Sequence, residues 1–100
     1  MKAAPIVRPS HAGTLDSGDV MIRIEPRAPG SGPRVMVSGR FSERLGTRIS
    51  EIVQTTLEHN NVNDVLVRVE DNGAAEWAIE ARTVTAIRRG LARAAEEDET

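Results

Sequence analysis

Apolar and polar residues alternate along Val20-Met21-Ile22-Arg23-Ile24-Glu25, and Pro26 ends the run. A period of two puts Val20, Ile22 and Ile24 on one face, the pattern of a strand with one buried side. Residues 26 to 33, Pro-Arg-Ala-Pro-Gly-Ser-Gly-Pro, are turn formers throughout and predict a mobile loop. Val35 and Val37 then alternate with Arg34, Met36 and Ser38, which predicts a second short strand returning beside the first as a hairpin.

The period changes after Gly39. Phe41, Leu45, Ile49, Ile52, Val53, Thr56 and Leu57 recur at spacings of three and four, with Glu43, Arg44, Arg48, Glu51 and Glu58 off that stripe. The spacing predicts a helix over 42–59, with Ser42 as its cap and Asn60-Asn61 as its left-handed stop, despite Gly46 inside it. Val65, Val67 and Val69 mark another strand, and Asp71-Asn72-Gly73 a turn. The next segment satisfies two patterns. Trp77, Ile79 and Ala81 alternate as in a strand, while Trp77, Ala81, Val84, Ile87 and Leu91 form a helical stripe. The Asn-Gly turn favours a hairpin strand near 75–82 followed by a helix over 83–95, and one continuous helix from Ala74 is the alternative.

The resulting order, β-β-α-β-β-α, predicts an α+β domain: a small antiparallel or mixed sheet of about four strands covered by two helices. Pro5 and Pro9 mark residues 1–12 as a flexible lead-in, residues 13–95 as the domain, and 96–100, Glu-Glu-Asp-Glu-Thr, as a solvated acidic tail.

Composition narrows the chemistry. One hundred residues suffice for a single modest core. One Phe, one Trp and no Tyr leave no aromatic platform for bases, and scattered cations with a net charge of −2 argue against nucleic acid. The absence of cysteine removes disulfides, thiolate metal sites and thiol nucleophiles. Pro5 and Arg8 interrupt any signal-like apolar run, and no stretch has the length of a membrane span, so a cytoplasmic protein without a membrane partner is expected.

Ser17, in Ala12-Gly13-Thr14-Leu15-Asp16-Ser17-Gly18-Asp19 at the mouth of the first strand, is the leading functional residue. A nucleophile elbow needs glycine two residues before and after the serine, where Leu15 and Asp19 stand. Nothing in the sequence ties His11 or His59 to Ser17 as a base. Asp16 and Asp19 make too small an oxygen set for a resident cation, so no metal is expected, and their plain role is turn formation. Gly13 and Gly18 leave room for a large enzyme to approach the hydroxyl. Arg82, Arg88, Arg89 and Arg93 read as the solvated face of the last helix, ahead of the alternative that they bind a phosphate-rich group or a partner subunit.

The run Ala12-Gly-Thr-Leu-Asp-Ser17-Gly-Asp-Val-Met-Ile-Arg-Ile-Glu-Pro26 resembles the N-terminal signature of the acyl carrier protein, or gamma subunit, of bacterial citrate lyase. Val69-Glu70-Asp71-Asn72-Gly73-Ala74 followed by Glu80-Ala81-Arg82 is similar to that family's later acidic-Gly-Ala turn and Ala-Arg pair, and the likeness runs from Ala12 to about Ala95. The resemblance implies that Ser17 carries a phosphoribosyl dephospho-coenzyme A (phosphoribosyl dephospho-CoA) group through a phosphodiester, installed by a prosthetic-group transferase. It implies a non-catalytic subunit of a lyase complex, with no catalytic residue of its own. An alpha subunit (acyl transferase) would exchange acetyl for citryl on the thiol of the group, and a beta subunit (citryl lyase) would release oxaloacetate.

Two other readings stay open. The carrier subunit of malonate decarboxylase bears the same kind of group and has a Ser-Gly-Asp strand start, although the Ala-Gly-Thr-Leu-acidic-Ser context favours citrate lyase. An unmodified module that only holds subunits together is the third. A four-helix acyl carrier protein needs its serine to open a helix, whereas Val20, Ile22 and Ile24 mark a strand.

Overall fold

The computed structural model describes residues 5–91. Chain order is β1 (Ser10–Gly13), β2 (Val20–Pro26), β3 (Arg34–Gly39), α1 (Ser42–His59), β4 (Val65–Asp71) and α2 (Glu76–Gly90). The α+β class and the four-stranded sheet with two helices are as the periodicities predict, in a mixed sheet of order β1-β2-β4-β3. β2 is antiparallel to both β1 and β4, and β3 runs parallel to β4 at the edge.

The register explains the core. Ile22 lies opposite Val69, Ile24 opposite Val67 and Ala12 opposite Ile22, so one sheet face is a continuous apolar surface. Ile49, Val53 and Leu57 of α1 and Ile79, Ala86 and Ile87 of α2 bury themselves in the same cluster. The other face carries Arg23, Glu25, Arg68 and Glu70, paired as Arg23–Glu70 and Arg68–Glu25.

Three expectations are corrected. The segment near 75–82 is not a strand, and the order is β-β-β-α-β-α. A strand there would place Trp77 and Ala81 on one face with Ile79, yet only Ile79 is buried. Ile79, Thr83, Ala86, Ile87 and Gly90 instead repeat at helical spacing and pack inward. The Asp71 carboxylate accepts from the Ala74 amide at 3.0 Å, so the Asn-Gly turn leads into a helix and not a hairpin. The helix ends at Gly90, and residues 92–95 of the expected span lie outside the described residues, as does the tail.

Second, part of the expected flexible lead-in is a strand. β1 supplies the fourth strand by covering the free edge of β2, and the Ser10 hydroxyl donates to the Ala86 carbonyl at 2.6 Å. Upstream, Ile6 is buried and bridges Leu91, with the Val7 amide donating to the Gly90 carbonyl at 2.8 Å.

Third, β3 does not form a hairpin with β2, because β4 lies between them. Parallel pairing of β3 and β4 needs a crossover, and α1 supplies it. The loop at 27–33 is pinned to the β4 side: the Arg27 amide donates to the Asp64 carbonyl at 2.9 Å, and the Gly32 amide to the Asp64 carboxylate at 2.9 Å.

Helix α1 matches its predicted bounds, and Asn61, at φ 57°, supplies the left-handed residue past its end. Ser42 is its first residue and makes no capping bond, since Phe41 holds the cap position. No helix among the described residues is long and apolar enough to cross a membrane.

Candidate functional site

Thr14 to Asp19 connect β1 to β2, and the strands fix both ends of this loop. The Thr14 amide donates to the Val20 carbonyl at 3.2 Å, closing its base. At its tip the Asp19 amide donates to the Asp16 carbonyl at 3.0 Å, enclosing Ser17 and Gly18 in a tight turn. Gly18 has φ 83°, the sign required at the third position of a type II turn.

A second turn holds this one from the side. The Gly18 amide donates to the Asn72 carbonyl at 2.8 Å, and the Asn72 amide to the Asp19 carbonyl at 2.9 Å. The Asn72 side-chain amide donates to the Leu15 carbonyl at 2.6 Å. The Ser17 turn is therefore stapled to the β4–α2 turn. A side-chain carbon on Gly73 would meet the Phe41 ring at 3.3 Å and the Gly18 Cα at 3.9 Å, which places Phe41 behind the pair of turns. The Arg40 guanidinium lies over the Phe41 ring, 5.5 Å from its centre.

Asp19 is the electrostatic anchor. Its carboxylate accepts from the Thr14 hydroxyl at 2.7 Å and the Val20 amide at 2.7 Å. Arg82 reaches it from α2 with a two-point contact, Nε at 3.3 Å and Nη2 at 3.2 Å. The Thr14 hydroxyl foremost, then the Val20 amide, and after them Arg82, hold the Asp19 carboxyl below its ordinary value, against the opposing effect of burial. With both oxygens engaged, Asp19 is a structural anion and not a free base.

Ser17 itself is exposed, and its hydroxyl has no hydrogen-bond partner among the described residues. Asp16 is exposed beside it, its amide bound to the Thr14 hydroxyl at 3.2 Å. His11 lies on β1 opposite Arg23, and His59 ends α1; neither is hydrogen-bonded to Ser17. The described residues hold no cluster of three or more His, Cys, Asp or Glu suited to a metal ion. The arrangement presents one reachable hydroxyl on a rigid mount.

Two residues of this mount are hidden in the sequence. Asn72 reads only as a turn former, and Arg82 only as one of a solvated arginine set. In the structure Arg82 grips Asp19, Arg89 donates to the His11 carbonyl at 2.8 Å, and Arg88 is exposed, while Arg93 lies outside the described residues. The trace of Arg82 in the sequence is its place in Glu80-Ala81-Arg82.

Residues 7–90 match the protein family described as malonate decarboxylase delta subunit (MdcD), an acyl carrier family. Among curated relatives, the citrate lyase acyl carrier protein of Halothermothrix orenii is 35% identical over 94% of this chain and 97% of its own length. That of Vibrio cholerae is 39% identical over 84% of this chain and 85% of its own. The fold also matches a chain in the crystal structure of a Pseudomonas malonate decarboxylase hetero-tetramer in complex with malonate, with a TM-score of 0.67 and 18% identity over 88% of this chain and 89% of that one. This similarity over nearly the whole length places the chain in the family of citrate lyase acyl carrier proteins and malonate decarboxylase delta subunits, as an acyl carrier.

Proposed function

We propose that this chain is the acyl carrier subunit of a cytoplasmic citrate lyase, and that Ser17 carries a phosphoribosyl dephospho-CoA group through a phosphodiester. The observation that carries the reading is the exposed Ser17 hydroxyl, free of hydrogen bonds to the described residues, on a turn fixed by Asp19, Asn72 and Arg82. The surroundings suit a bulky group. A side-chain carbon on Gly18 would meet nothing within 4 Å, so space beside the serine is open on that side.

When bound, the group supplies the terminal thiol that takes up acetyl and citryl units. The residues of this chain then have mechanical tasks. Ser17 anchors, Gly18 turns the chain away, and the Asp19–Arg82 and Asn72–Leu15 contacts keep the anchor from drifting. A tether raises the local concentration of the acyl group at two successive active sites, so the intermediate need not diffuse between them. Those sites belong to an alpha subunit (acyl transferase) and a beta subunit (citryl lyase), and a prosthetic-group transferase installs the group. The carrier contributes position and surface while the group brings its own chemistry.

Intact-mass analysis of the protein from its native host tests the attachment. The expected result is a phosphoribosyl dephospho-CoA adduct that maps to Ser17 and is lost in Ser17→Ala. An unmodified serine in an active native complex overturns the carrier reading. Supplying the holo form and its catalytic partners with citrate should release oxaloacetate. Turnover of malonate instead assigns the chain to malonate decarboxylase, the second reading, which the matched family's description favours.

A further inference from the structure

The sole tryptophan of the chain is not in the core. Trp77, the second residue of α2, is 75% exposed, at the edge of a groove between α1 and α2. Half-buried Ile52 and buried Thr56 line this groove with exposed Thr55, and Leu45 extends the apolar strip along α1 at 44% exposure. The stripe on α1 is thus wider than the sheet can cover. An indole left in water, flanked by other apolar groups, is the kind of residue that anchors protein interfaces.

The groove is preformed and acidic. Arg48 of α1 grips Glu76 of α2 with two bonds, at 3.0 and 2.8 Å, so the two helices are braced across its mouth. That pairing leaves Glu51 and Glu80 with no ion pair among the described residues, and one arginine against three glutamates gives the lining a formal charge of −2. Negative charge disfavours nucleic acid and anionic lipid. A second copy of the chain is disfavoured too, because a two-fold contact through this groove sets one negatively charged lining against another.

We propose that this groove docks a catalytic subunit of the carrier's own complex, through a surface that offers an apolar pocket for the Trp77 indole ringed by lysine and arginine. The inference rests on the carrier reading above. Its geometry suits delivery: α2 begins just after the turn that is stapled to the Ser17 loop, so a subunit seated on Trp77 grips the end of the helix that follows that turn.

Because Trp77 is the only tryptophan, full-length carrier grown with 5-fluorotryptophan gives a single fluorine resonance. Titration with each unlabelled catalytic subunit should move or broaden that resonance for one of them. Trp77→Ala should weaken the same association at least about tenfold, as for an interface anchor, with an unchanged melting temperature. The double variant Glu51→Lys, Glu80→Lys should lower the association rate by a similar factor and reduce its dependence on salt. Ser17→Ala should dock as the wild type does, which separates docking from attachment. A resonance unmoved while the complex forms, or binding within twofold for Trp77→Ala, overturns the proposal. So does a resonance that moves with carrier concentration alone alongside a doubled sedimenting mass, which makes the occupant a second copy. If neither subunit binds, the proposal is overturned as well, and the mass of the native protein then decides independently whether the carrier reading survives.

Discussion

Gly13 shows how one backbone position governs where Ser17 stands. In the sequence it reads as clearance for an approaching enzyme. In the structure it has φ 97°, and a side-chain carbon there would collide with the Val20 carbonyl oxygen, the acceptor that closes the base of the loop. Alanine at this position suffers both left-handed strain and a clash with backbone that cannot step aside. Gly13→Ala is therefore expected to destabilise the fold by about 2 to 3 kcal/mol, lowering the midpoint of thermal unfolding by roughly 10 °C or more. Circular dichroism melting measures this directly, and an unchanged midpoint contradicts the account. The serine was legible in the sequence because a short polar turn ran into a clear strand. Its supports were not, since Asn72 and Arg82 lie far along the chain, and only the fold brings them against Leu15 and Asp19.

At the scale of the elements, legibility followed how many patterns a segment could satisfy. β2, β4 and α1 each had one period, and each was placed nearly to the residue. Residues 75–91 satisfied two, and what decides between them is β4: β2 and β3 take both of its edges, so a hairpin strand after the Asn-Gly turn has no edge to pair with. The fourth strand is instead β1, a four-residue strand too short and too small in side chains to announce itself, on the far edge of β2. The remaining apolar residues then packed across the sheet as a helix. The parallel placement of β3 was equally illegible, because alternation reports a strand's faces and not its neighbours. Helix α1 also carries an avoidable weakness. Gly46 lies in its interior, and a side-chain carbon there would meet nothing within 4 Å. Gly46→Ala is expected to raise stability by about 0.5 to 1 kcal/mol by restricting the unfolded chain and improving helix propensity. A higher urea midpoint with an unchanged slope would register it, and a lower midpoint would mean that Gly46 is needed for packing.

Three carboxylates on separate elements link the stability of the whole molecule to pH. Asp19 is held below its ordinary value chiefly by the Thr14 hydroxyl, Asp64 by the backbone amides of Gly32 and Gly30, and Glu76 by Arg48. Each therefore binds a proton more readily in the unfolded chain than in the folded one. Where the unfolded state holds more protons, stability rises with pH. The contribution is complete above the ordinary values of 3.8 for the aspartates and 4.5 for the glutamate, and it is lost as pH falls through the lower folded values. Denaturant midpoints should accordingly be level from pH 7 to about 5 and decline below about pH 4.5. The exposed Arg48–Glu76 pair adds little to this decline, because water and salt screen it. Asp19, more sheltered and bonded to two elements besides its own loop, matters more locally. In Asp19→Asn the acid-dependent part of the loop's order disappears. Amide exchange at Gly18 and Asn72, whose bonds join the two turns, should then be faster than in the wild type at pH 7 and should change less on acidification. If exchange at these two amides is the same in both proteins, the carboxylate does not hold the serine's mount together, and the backbone bond from Thr14 to Val20 and the Asn72 contacts suffice without it.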